Sequence, residues 1–229
     1  MPFFYIDNYY LFLVIPTLLI TVWAQFKVKS TYSKFSKINN ARGYDAQTVA
    51  RSILDANGLQ AVKIVPIQGN LTDHYDPRNN TIGLSQSVYN QTSVAAIGVA
   101  AHEVGHAIQY SQCYKPIKIR NALVPITQLG SSIAMPMAIF GLILGFPALT
   151  TIGIWLFAAV VLFQLVTLPV EFNASSKALN TLETENFLYG DEITGAKKVL
   201  SAAALTYVGA LLVSIANLLR LILLSRDRD

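Results

Sequence analysis

The sequence predicts a mainly α-helical membrane protein, with four transmembrane helices and a small α+β domain that carries an H-E-x-x-H helix. Three observations point there. Of the 229 residues, 53% are hydrophobic and only 13% charged, and the mean hydropathy is +0.44. That balance suits a chain with several spans and not a soluble domain. The apolar residues gather into four uncharged runs, at 9–25, 121–147, 148–170 and 201–219. Between the first two runs lie turn-rich and β-favouring stretches and the segment AAHEVGHAIQ at 101–110, which holds two of the three histidines. The expected organisation is an anchor at 1–26, a cytoplasmic α+β segment at 27–120, a transmembrane hairpin at 121–170, a polar segment at 171–200, and a last helix with a short charged tail at 201–229.

The first run, YYLFLVIPTLLITVWAQ, is about long enough to span a bilayer and has tyrosine and tryptophan at its ends, where aromatic belts sit. A cleaved signal peptide would want a basic start, and the first eight residues offer Asp7 but no lysine or arginine. An uncleaved anchor is expected, with Pro16 free to kink it. Lys27, Lys29, Lys34 and Lys37 follow, so the positive-inside rule places the next segment in the cytoplasm and the N-terminus outside. These lysines suit anionic lipid headgroups. Eleven of the 17 basic residues lie between residues 27 and 120, without the dense basic stripe and interleaved aromatics of a nucleic-acid binder. The lone Cys113 excludes an intramolecular disulfide and a thiolate metal site, and fits a reducing compartment.

Residues 45–58 predict an amphipathic helix, with Val49, Ile53 and Leu54 on one face and Gly58 as its stop. AVKIVPI at 61–67 reads as a strand, GNLTDHYDPRNN as turns with Asp76 and Asn80 as turn residues, and TIGLS at 81–85 as a second strand. A helix over 93–110 follows, capped by Thr92 or Ser93. Its uncharged start allows a buried core helix or an intramembrane one, but the apolar run before Glu103 is too short for a span. The runs at 121–147 and 148–170 predict a hairpin turning near 145–151. Gln128, Ser131, Ser132 and Gln164 are expected to serve as hydrogen bonds between the helices.

The chemistry rests on His102, Glu103 and His106. Residues four apart share a helical face, so the two imidazoles can occupy two corners of a tetrahedral zinc site while Glu103 reaches a water. A third protein ligand is then needed, with one position left open. His74 is the only other histidine. The alternatives are acidic residues on the same side of the membrane, with Glu183, Glu185, Asp191 and Glu192 as fallbacks. Glu171 stands out at the exit of the third span, where a helix beginning at Pro169 would hold it; the other expectation for it is a carboxylate favoured by a helix start. Between His106 and Glu171 the chain crosses twice, so both return to one face of the bilayer. His74 and Tyr75 are candidate oxyanion-stabilising or proton-shuttling side chains.

The HEVGHAIQ motif, the preceding HYDPRNNTIGLS, the apolar hairpin and then PVEFNASSKAL together resemble the membrane-bound neutral zinc metallopeptidases of bacteria, the YugP-like family. The likeness covers nearly the whole chain. More distantly, the chain is similar to HtpX-like and CAAX-prenyl-protease-like membrane gluzincins. The resemblance implies a zincin-like catalytic domain, one Zn²⁺ per chain held by His102, His106 and Glu171, and Glu103 as the catalytic glutamate. Many gluzincins place an aspartate four residues after the third ligand to orient a zinc histidine; here Ser175 stands there, able to accept an imidazole N–H without charge.

The function expected is therefore a membrane-embedded zinc metallopeptidase of the bacterial inner membrane with a cytoplasmic-facing site, using zinc-activated water with Glu103 as general base. Its partners would be a protein or peptide substrate, the lipid bilayer, and a second copy or another membrane protein. The TIGLS strand is expected as an edge for an extended peptide. The alternative is a non-proteolytic membrane scaffold or quality-control adaptor with a structural zinc. A transporter fits poorly, because the spans carry no charge before Arg220.

Overall fold

The computed structural model describes residues 7–227; Arg228 and Asp229 of the charged tail lie outside the described residues. After a π-helical turn at Tyr10–Val14, the elements are α1 (Ile15–Phe35), α2 (Ala46–Ala56), β1 (Lys63–Ile67), β2 (His74–Asp76), β3 (Thr81–Ser85), α3 (Val94–Ser111), α4 (Lys115–Leu144), α5 (Pro147–Thr184) and α6 (Asp191–Arg226). The chain is mainly helical. Among the described residues four helices are long and apolar enough to cross a membrane: Tyr10–Phe35, α4, α5 and α6. The H-E-x-x-H helix α3 is not one of them. The chain divides into two compact units, one formed by Met1–Gln25, Lys118–Leu168 and Leu205–Asp229, the other by Phe26–Ile117 and Pro169–Ala204.

In the first unit α4 and α5 are joined at Gly145, whose φ of +70° suits glycine. The Phe146 amide donates to the Gly141 carbonyl at 2.9 Å and closes the turn. Ala134, Ala138, Phe157 and Leu221 form the buried centre of this unit. Ser131 and Ser132 do not bridge helices as expected. Both are exposed, and their hydroxyls donate to the Gln128 carbonyl of their own helix at 3.3 and 3.4 Å. Short hydroxyl side chains satisfy themselves on the preceding turn more readily than across a gap. At the other end of this unit Arg220 meets Asp7 at 2.6 Å and lies over the Tyr10 ring, and the Tyr9 hydroxyl donates to Asp227. The start of the first candidate span and the end of the last thus meet.

The second unit carries the sheet. Asp45 caps α2 by accepting from the Thr48 amide at 2.7 Å, and Gly58 with φ +72° ends it. Ala46, Val49, Ala50, Ile53 and Leu54 form its buried face at the helical i, i+3, i+4, i+7, i+8 spacing. Each large member contributes about 1.5–3 kcal/mol by leaving water. The sheet order is β1-β3-β2, with β1 parallel and β2 antiparallel to β3. TIGLS is therefore the central strand and offers no edge to a peptide; the edges are β1 and β2. Ile82 through Ser85 are all buried, as befits a strand flanked on both sides. The turn-rich segment contributes the short strand β2, with Tyr75 paired to Ile82.

Ser93 caps α3 by accepting from the Ala96 amide at 3.3 Å. Thirteen of its eighteen residues are buried, so it lies in the core with α2, the sheet, and Ala178, Leu182, Leu188, Ala196 and Leu200. The small residues of α3 let its backbone approach other helices. A Cβ on Gly105 would stand 2.6 Å from the Ala174 carbonyl oxygen of α5, far inside contact distance.

Candidate metal centre

His102 and His106 stand one turn apart on α3, with ring centroids 4.7 Å apart and planes at 82°. Glu171 comes from α5. Its Oε2 lies 3.3 Å from His102 Nε2 and 3.6 Å from His106 Nε2. Among the described residues these three form the one group of His, Cys, Asp or Glu side chains whose ligand atoms converge, all within 4.8 Å of one another. Glu171 sits deep inside α5 and not at a helix start: the helix runs through Pro169 from Pro147 to Thr184. No N-terminal dipole accounts for it. Glu171 is 4% exposed, so what stabilises its charge must be local.

The far side of each imidazole is held. The Ser175 hydroxyl is 3.1 Å from His102 Nδ1, and the Gln109 Oε1 is 3.0 Å from His106 Nδ1. A proton on each Nδ1 serves these acceptors and leaves both Nε2 lone pairs turned towards Glu171. Glu171 Oε2 is buried and has no hydrogen-bond partner; the 3.3 and 3.6 Å separations are loose for ionic bonds. In that tautomer three lone-pair atoms converge, and a cation would satisfy all three. Two imidazole nitrogens with one carboxylate oxygen are borderline ligands of the kind zinc takes. The donor set fits the metal.

Glu103, on the same helix, is 8% exposed. Burial disfavours a charged His106, but the Glu171 and Glu103 carboxylates outweigh it and raise its pKa above the usual imidazole value. The pocket's field thus favours positive charge. His74 does not join the cluster: it is exposed on β2, with Nδ1 3.0 Å from the Thr72 carbonyl. The Tyr75 hydroxyl donates to Asn80 at 3.0 Å, and its ring packs edge-on against Tyr110 at 5.5 Å. Glu183, Glu185 and Asp191 are exposed, and Glu192 accepts from the Ala41 amide at 2.7 Å. Gln109 had no place in the sequence-based site. Its signal is spacing: His102, Gly105, His106 and Gln109 follow i, i+3, i+4, i+7, a single stripe of α3.

The family described as "Putative neutral zinc metallopeptidase" matches residues 10–226. The chain belongs to that family. It is also 47% identical over 215 residues, 94% of this chain and 96% of the relative, to the "Putative membrane protease YugP" of Bacillus subtilis (strain 168). No solved structure matches. Membership implies zinc, and the His102, His106 and Glu171 cluster could bind a metal ion.

Proposed function

We propose that the protein is a membrane-bound zinc metallopeptidase whose metal is held by His102, His106 and Glu171. The observation that carries this reading is the convergence of two Nε2 atoms and one buried, unpartnered carboxylate oxygen on a single point. Among the described residues no fourth ligand side chain joins them. That is the open pattern of catalytic zinc, whereas structural sites are closed by four protein ligands. Zinc supplies Lewis-acid activation of water and of the scissile carbonyl when bound.

The chain's own groups do the rest. Glu103 lies one residue along from the first ligand, projecting beside the histidine pair, where a carboxylate can take the proton of the attacking water and return it to the leaving amine. Its burial keeps bulk water from competing for that proton. Gly105 brings α3 against α5 so that ligands from both helices meet. Ser175 and Gln109 hold the rings against rotation, a pre-organisation that metal sites depend on. The substrate is a protein or peptide. The lysines that follow the first span, at 27, 29, 34 and 37, support placing the site on the cytoplasmic face.

Glu103→Gln tests the reaction. The amide keeps the size and loses the base, so hydrolysis of a peptide substrate should fall by about 10²–10⁴-fold while zinc content stays at the wild-type value. Full activity in that variant would remove Glu103 from the mechanism.

A further inference from the structure

Gln109 is fully buried, yet it makes three hydrogen bonds and leaves nothing unsatisfied. Its Oε1 faces His106 Nδ1 at 3.0 Å; its Nε2 donates to the Val170 carbonyl at 2.7 Å and to Asn173 Oδ1 at 2.9 Å. The Val170 carbonyl decides the arrangement, because a backbone oxygen can only accept. The amide nitrogen must therefore point to α5 and the amide oxygen to His106. A hydrogen bond from His106 to that oxygen requires the proton on Nδ1, which fixes Nε2 as the free lone pair. One side chain thus settles a tautomer and, at its other end, grips the residues either side of Glu171. Gly105 makes this reach possible, since any Cβ there would push Ala174 and its turn away.

We infer that Gln109 is a positioning residue for the metal centre: it locks His106 in the metal-binding tautomer and clamps the Glu171 turn of α5 onto α3. This rests on the metallopeptidase reading above. The two halves of the ligand set come from helices far apart in sequence, and Gln109 bonds to His106 on one and to the residues flanking Glu171 on the other, beside the Ser175–His102 contact. Its neutrality also matters. A carboxylate would hold the imidazole equally well but would repel the Val170 carbonyl.

The test uses the full chain in detergent, with zinc affinity measured by chelator competition and the visible spectrum of the cobalt(II)-substituted protein as readouts beside activity. Gln109→Leu removes both links and should weaken zinc binding by about 10–100-fold, the range for outer partners of metal ligands, with a changed cobalt spectrum. Gln109→Glu keeps the acceptor for His106 but loses both donors; it should bind zinc more tightly than the leucine variant and less tightly than wild type. Wild-type affinity and spectrum in Gln109→Leu, or a glutamate variant no tighter than the leucine one, would overturn the inference. Should the leucine variant not fold, the glutamate variant decides alone, because wild-type affinity there would overturn it and weakened affinity would support it. If wild-type protein binds no zinc, the metal centre itself is wrong and this inference falls with it; a normal wild type with an indifferent Gln109 overturns the inference only.

Discussion

At the scale of single residues, the site is made by groups that have lost water. Glu171 is the clearest case: a buried carboxylate oxygen facing two imidazoles makes sense only if positive charge sits among them. Glu171 was legible in the sequence because a carboxylate after an even number of crossings could return to His106. Ser175 was legible only through the family likeness. Gln109 was not, because an amide at the end of a motif looks like any polar helix residue until the facing helix is known. Asp73 is a partly buried acid away from the centre. Burial raises its pKa, against the hydrogen bonds it accepts from the Ser85 amide and hydroxyl at 2.7 and 3.0 Å. A raised carboxylate pKa means the folded state holds its proton more tightly than the unfolded chain. Its contribution to stability therefore falls as pH rises from the ordinary carboxylate range through the folded-state value, and is flat beyond. Asp73→Asn keeps one acceptor and one donor for Ser85 without the charge. Melting temperatures across pH 4–7 should show the variant gaining on wild type as pH rises; a constant difference would contradict this.

At the scale of elements, helices α2 and α3 were plain in the sequence because periodicity and caps agree: Asp45 and Ser93 both accept from the amide three residues on. Strand β2 was hidden. Three residues among turn formers carry no alternation, and it becomes a strand only because β3 offers hydrogen bonds. The same neighbour makes β3 central and removes the expected peptide edge. The polar stretch after the third span was expected to begin a new helix at Pro169, yet α5 runs straight through it. Hydropathy marks where an apolar environment ends, not where a helix does. The junction of α3 with α5 carries a sharp prediction. Ala favours helix over Gly by about 1 kcal/mol, so propensity alone would make Gly105→Ala stabilising. The 2.6 Å approach to the Ala174 carbonyl reverses the sign: overpacking should cost roughly 1–3 kcal/mol and lower the melting temperature. A higher melting temperature would show that α3 and α5 are not in such contact.

At the scale of the whole molecule, the four candidate spans were visible in composition, and their number is consistent with the Asp7–Arg220 and Tyr9–Asp227 contacts at the two ends. Arg220 follows directly on the last apolar run, at 201–219. Paired with Asp7, it adds little net charge and weighs less against the expected orientation. Sidedness can be read with the chain's own thiol. Cys113 is exposed and belongs to the segment between the first and second spans, so an impermeant maleimide should reach it only after the membrane is opened. With Cys113 replaced by serine, Ala148→Cys in the hairpin turn should label in intact cells. The reverse pattern would invert the protein and place the site outside.

The central claim is a zinc site completed across two helices by Glu171. It is tested most directly by the zinc stoichiometry and affinity of the purified wild type and of Glu171→Ala. The expected result is one zinc per chain in the wild type, and in the variant an affinity loss larger than the roughly 10–100-fold typical of removing an outer hydrogen-bond partner. Wild-type protein without zinc, or a Glu171→Ala variant that binds it as tightly, would contradict the claim.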